Sequence, residues 1–211
     1  MLPRVTVADY GMGNLRSVLR ALEACGAQAA LSSNPDEIAA ADRLILPGTG
    51  AFAQGMDELR RRDLIAPIQS FARTGRPFLG ICLGMQMMLT TGHEFGTNAG
   101  LGLMAGTVEA LPACGAGGLP HKIPHIGWNR IVASTDWTGT ILHGLEDAAV
   151  YFVHSYAAVP ELAAVSLAEC DHDGSRFVAA VRSENLCGCQ FHPEKSGPTG
   201  LRILTNFLAL A

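Results

Sequence analysis

The sequence predicts an α/β fold: an open, mostly parallel central sheet with helices on both faces and an antiparallel extension. Three features predict it. Through the first half, short apolar or β-branched runs alternate with amphipathic helical stretches. In the second half the runs become strand-like and closely spaced, with short turns between them. The 211 residues, 48% of them apolar, suffice for one well-buried core, so a single domain over residues 1–211 is expected.

Arg4–Ala8 reads as the first strand. Asp9-Tyr10-Gly11-Met12-Gly13-Asn14 turns from it into a helix whose Leu15, Val18, Leu19 and Leu22 recur at helical spacing before Gly26. The Gly-x-Gly invites a dinucleotide reading. Arg16 stands where the third glycine is needed, however, and no acid ends the second strand, residues 27–31, so a tight turn is the better account. Asn34-Pro35-Asp36-Glu37 opens a short helix with a cap, a proline in the first turn and acids where the dipole favours them. Residues 43–46 form the third strand, followed by Pro47-Gly48-Thr49-Gly50, a helix over 51–62 and another over 65–74. By spacing alone, the glycine-rich loop is a turn into the helix.

The next apolar run, residues 77–81, is too short for a free-standing helix and delivers a cysteine into Gly80-Ile81-Cys82-Leu83-Gly84. Met85, Met87, Met88 and Leu89 then resume helical spacing. Strand, sharp turn and helix place a thiol at the corner. Glycines two residues to either side let the chain turn without a Cβ collision, as in a nucleophile elbow, and the helix aims free amides at the sulfur. Read alone, the stretch fits a reactive thiol or a small buried cysteine. Downstream, residues 186–191 read as a strand running into His192-Pro193-Glu194. Residues two apart on an extended segment share a side, so Glu194 can orient the His192 ring. Cysteine, imidazole and carboxylate in one alternating α/β chain favour nucleophilic catalysis over coincidence.

Between these motifs, residues 92–118 are rich in glycine, including Gly115-Ala116-Gly117-Gly118, and weak in periodicity, which predicts loops and short strands. Strands follow over 122–131, 150–159, 165–169, 177–181 and 186–191, with Asp173-Gly174 as a hairpin tip, and a helix over 200–210 closes the chain. Trp128, beside Asn129 and Arg130, fits either a core or an interface residue. His125 and His154 lack an acid at the same-face spacing and are given structural or interface roles.

These motifs together resemble the class I, triad-type glutamine amidotransferases. The resemblance covers nearly the whole chain, through Leu46-Pro47-Gly48-Thr49-Gly50, the Cys82 elbow with Gln86, Pro124-His125-Ile126-Gly127-Trp128-Asn129, Phe152-Val153-His154-Ser155-Tyr156 and Gln190-Phe191-His192-Pro193-Glu194-Lys195-Ser196-Gly197. Gly-Trp-Asn and Lys-Ser-Gly point to the branch that supplies the glutaminase subunits of imidazole glycerol phosphate synthases. The resemblance implies a flavodoxin-like sheet and hydrolysis of glutamine through a Cys82 thioester, with His192 and Glu194 as base and orienting acid. Leu83 with Gly48 and Thr49 would form the oxyanion hole; Gly50, Gln86, Glu94, Ser155 and Tyr156 would bind substrate. Thr49 departs from the valine common in the family, a change aimed at the loop more than at a backbone donor. Asn14 and Trp128 would contact a separate (βα)8-barrel cyclase, which would use the ammonia to make imidazole glycerol phosphate and aminoimidazole carboxamide ribotide in histidine biosynthesis.

Composition excludes several alternatives. A balance of 15 basic and 19 acidic side chains gives a net charge of −4, and the one basic run, Arg60-Arg61-Arg62, suits a solvated helix face, so neither nucleic acid nor an anionic membrane is implied. The amino terminus lacks a signal-peptide core, and nothing is apolar for long enough to span a bilayer, which leads to a cytoplasmic expectation. Six cysteines show no disulfide framework. Cys187-Gly188-Cys189 and Cys170-Asp171-His172 are incomplete as metal sites, so no metal or cofactor is expected.

Overall fold

A computed structural model describes residues 2–211 except 116, 117, 119 and 121, so the centre of the 115–118 glycine run lies outside the described residues. The amino-terminal half alternates β1 (Arg4–Ala8), α1 (Leu15–Ala24), β2 (Gln28–Ser32), α2 (Pro35–Ala40), β3 (Leu44–Leu46), α3 (Phe52–Arg61), α4 (Ile65–Ala72), β4 (Phe78–Ile81) and α5 (Leu83–Met87). Strands then dominate: β5 (Leu89–Gly92), β6 (Asn98–Ala99), β7 (Met104–Ala110), β8 (His125–Ala133), β9 (Ala149–His154), β10 (Tyr156–Pro160), β11 (Ser166–His172), β12 (Ser175–Ser183) and β13 (Leu186–Cys189). Helix α6 (Gly197–Ala209) closes the chain.

The strands β2-β1-β3-β4-β13 run parallel, and β12, β10 and β7 continue the sheet antiparallel. A branch of β11, β8 and β9 pairs off β12. Period-two alternation fills both faces: Leu44, Leu46 and Phe78 pack with Phe52, Leu59, Ile68 and Phe71 of α3 and α4, while Ile45, Leu79 and Ile81 pack with Val18, Leu22, Ile203 and Phe207 of α1 and α6. The register sets Leu46 against Gly80 and Cys189 against Ile81, so β3, β4 and β13 end together. The loops that leave their carboxyl ends carry Gly48, Cys82 and His192, where ligand crevices of open α/β sheets form.

Local signals acted as expected. Asn34 Oδ1 accepts the Asp36 N–H at 2.9 Å, Asp173 and Gly174 join β11 to β12, and the Arg60–Arg62 run pairs with Asp57 and Glu58 on its own helix. Several boundaries differ, among them the start of β8 at His125 and the length of β12, Ser175–Ser183; three have a visible cause. Helix α5 stops at Met87, and Leu89 belongs to a strand, because the carbonyls of Met87, Met88 and Leu89 accept N–H groups of the 101–104 segment. The expected strand over 150–159 is broken at Ser155, whose carbonyl takes the Leu111 N–H at 2.9 Å, so that β9 and β10 join different neighbours. Helix α6 starts three residues early because Pro198 fits a helix's first turn. Among the described residues, no helix is long and apolar enough to cross a membrane.

Candidate active site

Cys82 stands between β4 and α5 with φ 53° and ψ −111°, a region L-residues rarely occupy, so the strain of the turn sits on the cysteine itself. The turn is held by the Cys82 N–H donating to the Cys189 carbonyl at 2.7 Å. Gly84 is glycine for want of space: a Cβ there would lie 1.8 Å from the Leu46 carbonyl oxygen. Gly48 is wedged in the same way, since its Cβ would lie 2.5 Å from Tyr10 Oη. The Tyr10 hydroxyl donates to the Pro47 carbonyl at 2.7 Å and fixes that loop from below; burial raises its pKa, so it stays a donor.

His192 follows β13, and its Nδ1–H donates to Glu194 Oε1 at 2.8 Å, which leaves Nε2 for the sulfur. An extended segment does not bring the pair together. Pro193–Lys195 is a 3₁₀ turn, clamped by Ser196 Oγ donating to the His192 carbonyl at 2.7 Å and accepting the Tyr151 N–H at 3.0 Å. Both side chains are 2% exposed. Burial disfavours the imidazolium, but the neighbouring Cys82 and Glu194 together outweigh it, and the His192 pKa rises from 6.5 to about 9. Nε2 itself makes no hydrogen bond of good geometry, so the sulfur acts on the ring by proximity, as is common before substrate binds.

Because the folded value lies above the unfolded one, the ring's partners stabilise the fold fully below about pH 6.5, and this is lost as the pH rises through about 9. Glu194→Gln is expected to bring the His192 midpoint down from about 9 toward 6.5, read by an NMR titration of the ring. An unmoved midpoint would deny Glu194 its hold.

A cavity of about 420 Å³ joins these groups. Cys82, Leu83, Thr49, Gly50, Gln86, Glu94, Ser155, Tyr156 and His192 line it. Gly48 lies beneath the wall and Glu194 behind the ring. Asn14 is exposed on the loop after β1. Trp128 is 58% exposed, which removes the core alternative; it packs edge-on to Tyr151 and reaches within 3.9 Å of the Cβ position at Gly197, close to the His192 turn. A cleft of about 710 Å³ between β7, β10, β11 and β12 is larger but holds no nucleophile beside a base.

Gln86 donates from Nε2 to the Tyr156 carbonyl at 2.8 Å and to Gln190 Oε1 at 3.0 Å, leaving its own oxygen as a free acceptor toward the cavity. Glu94 Oε2 accepts the Phe52 N–H at 2.7 Å, a contact absent from the sequence expectations. Three residues with parts in this geometry were missed: Tyr10, Gln190 and Lys195. His154 lines the cavity and holds the Tyr156 carbonyl through Nδ1 at 3.0 Å; burial lowers its pKa to about 3 and keeps it neutral. Tyr10, two residues past β1 and flanked by Gly11, carried the one readable signal.

The glutamine amidotransferase class-I family model matches residues 6–211. The chain belongs to the class-I glutamine amidotransferase family. Within the family it is 51% identical to imidazole glycerol phosphate synthase subunit HisH 1 of Legionella pneumophila, over 98% of this chain and 99% of that one. It is 48% identical to the HisH subunit of Rhodopirellula baltica, with 96% of each chain covered, and 46% identical to that of Aquifex aeolicus, over 97% and 95%. Solved structures share the amidotransferase fold at lower identity. The PurLQS structure from Thermotoga maritima matches with a TM-score of 0.74 at 21% identity over 99% of this chain and 98% of that one. The glutaminase domain of Trypanosoma brucei CTPS with bound acivicin matches at 0.65 and 17%, over 100% and 95%.

Proposed function

We propose that this protein is the glutaminase subunit of an imidazole glycerol phosphate synthase, acting in the cytoplasm as one domain. The observation that carries the chemistry is the convergence of Cys82 and His192, with Glu194 on the far side of the ring, at one cavity. The HisH relatives carry the assignment of the pathway.

In this reading Cys82 attacks the carboxamide carbon of glutamine, and the oxyanion is met by the Leu83 N–H and the Thr49 N–H. Thr49 rather than Gly48 takes that part because Thr49 lines the cavity. His192, protonated at neutral pH, gives its proton to the departing ammonia and then draws one from the water that cleaves the thioester. The free oxygen of Gln86 and the Glu94 carboxylate suit the substrate's ammonium group. Nothing in the cavity performs acceptor chemistry, so the ammonia passes to a (βα)8-barrel cyclase bound as a heterodimer. Without that partner, ammonia protonated in water would be lost to the reaction.

Glutamine hydrolysis measured alone, with the cyclase, and with the cyclase plus its ribotide ligand tests the proposal. Activity rising at each step is expected; full activity in the isolated subunit, or turnover of γ-glutamyl peptides instead, would contradict it. Trp128→Ala is expected to weaken cyclase binding about 30-fold or more, a hot-spot loss, with the melting temperature unchanged. Titration calorimetry reads the affinity, and an unchanged value would free Trp128 of an interface role.

A further inference from the structure

Gln190 is fully buried one residue past β13, and its Nε2 lies 3.6 Å from Cys82 Sγ. Which end of the amide faces the sulfur follows from its neighbours. The Tyr156 carbonyl can only accept, so Gln86 must turn its NH₂ toward it. That same NH₂ also meets Gln190 and requires an acceptor there, so Gln190 presents Oε1 to Gln86 and NH₂ to the sulfur. The His154 ring, donating from Nδ1 to the same carbonyl and accepting from His125 Nδ1 at Nε2 over 3.1 Å, holds the far end in place. From a single backbone carbonyl, a fixed chain of donors runs to the nucleophile.

We propose that Gln190 is a catalytic donor that holds Cys82 as an aimed thiolate, with its N–H on one side of the sulfur and His192 on the other. A neutral donor favours the charged form of its partner. It acts on the sulfur twice: on the attacking thiolate, and on the thiolate expelled when water cleaves the thioester. Tyr10 and Cys189, the other titratable groups acting on the sulfur, are both raised by burial and stay neutral, while His192 with Glu194 supplies the charge. The assignment deepens the glutaminase reading but can be tested without glutamine.

The test is the pH dependence of Cys82 alkylation by iodoacetamide, followed on the Cys82 peptide by mass spectrometry, in the wild type and in Gln190→Met, which keeps the volume and removes the donor. The half-maximal pH is expected to rise by about one unit, making alkylation at neutral pH about tenfold slower. A merely structural role would lower the melting temperature and leave that midpoint alone. A folded Gln190→Met with the wild-type midpoint overturns the proposal. If Gln190→Met does not fold, the wild type decides: the Gln190 side-chain amide resonance must titrate with the alkylation midpoint and lose that response in Cys82→Ala. A resonance that keeps its position in the wild type overturns the proposal equally. Loss of glutamine turnover with an unmoved alkylation midpoint would count against Gln190 and leave the glutaminase reading standing.

Discussion

Cys82→Ala is expected to abolish glutamine hydrolysis, by at least about 10⁴-fold in kcat, while glutamine still binds. In the proposed mechanism, removing the sulfur removes the atom that would carry the acyl group; the proposed oxyanion donors and the His192–Glu194 pair would remain and supply what little rate is left. The side chain is small and the strained backbone serves alanine no worse than cysteine, so the melting temperature should hardly change. Binding measured by calorimetry beside turnover separates the two effects. Retained turnover would remove Cys82 from the chemistry.

The second large effect is on the fold. Gly84→Ala would drive a methyl group to 1.8 Å from the Leu46 carbonyl oxygen, an atom of the central strand β3 that cannot step aside without moving the sheet. A loss of roughly 4 kcal/mol or more is expected, at the upper end for single substitutions and enough to unfold many domains. Urea denaturation reads it directly. A stability within the range of ordinary surface substitutions would mean that the elbow and β3 are not packed as described.

The parts of the molecule legible in the sequence were those fixed locally. The cap at Asn34 acts within one turn, the run of residues 77–81 is too short for a free-standing helix, and Asp173-Gly174 has the chemistry of a hairpin tip. Cys82 and His192 were legible because each follows a strand, and strands of a parallel sheet end on a common rim. What stayed hidden depends on groups far apart in the chain. The early end of α5 is imposed by the 101–104 segment, which claims its carbonyls. The break at Ser155 is imposed by Leu111. Gln190 looks like one more polar residue ahead of Phe191, and only the fold sets it between Gln86 and the sulfur. The 3₁₀ turn behind His192 is a milder case: the pairing with Glu194 was expected, but from an extended geometry the proline does not give.

The central claim is that glutamine passes through a covalent bond to Cys82. Protein turning over glutamine with its proposed cyclase partner, quenched in acid and mapped by mass spectrometry, tests it most directly. A glutamyl group on the Cys82 peptide, labile to base and absent from Cys82→Ala, is the predicted result; steady turnover with Cys82 always unmodified, or the acyl group on another side chain, would contradict it.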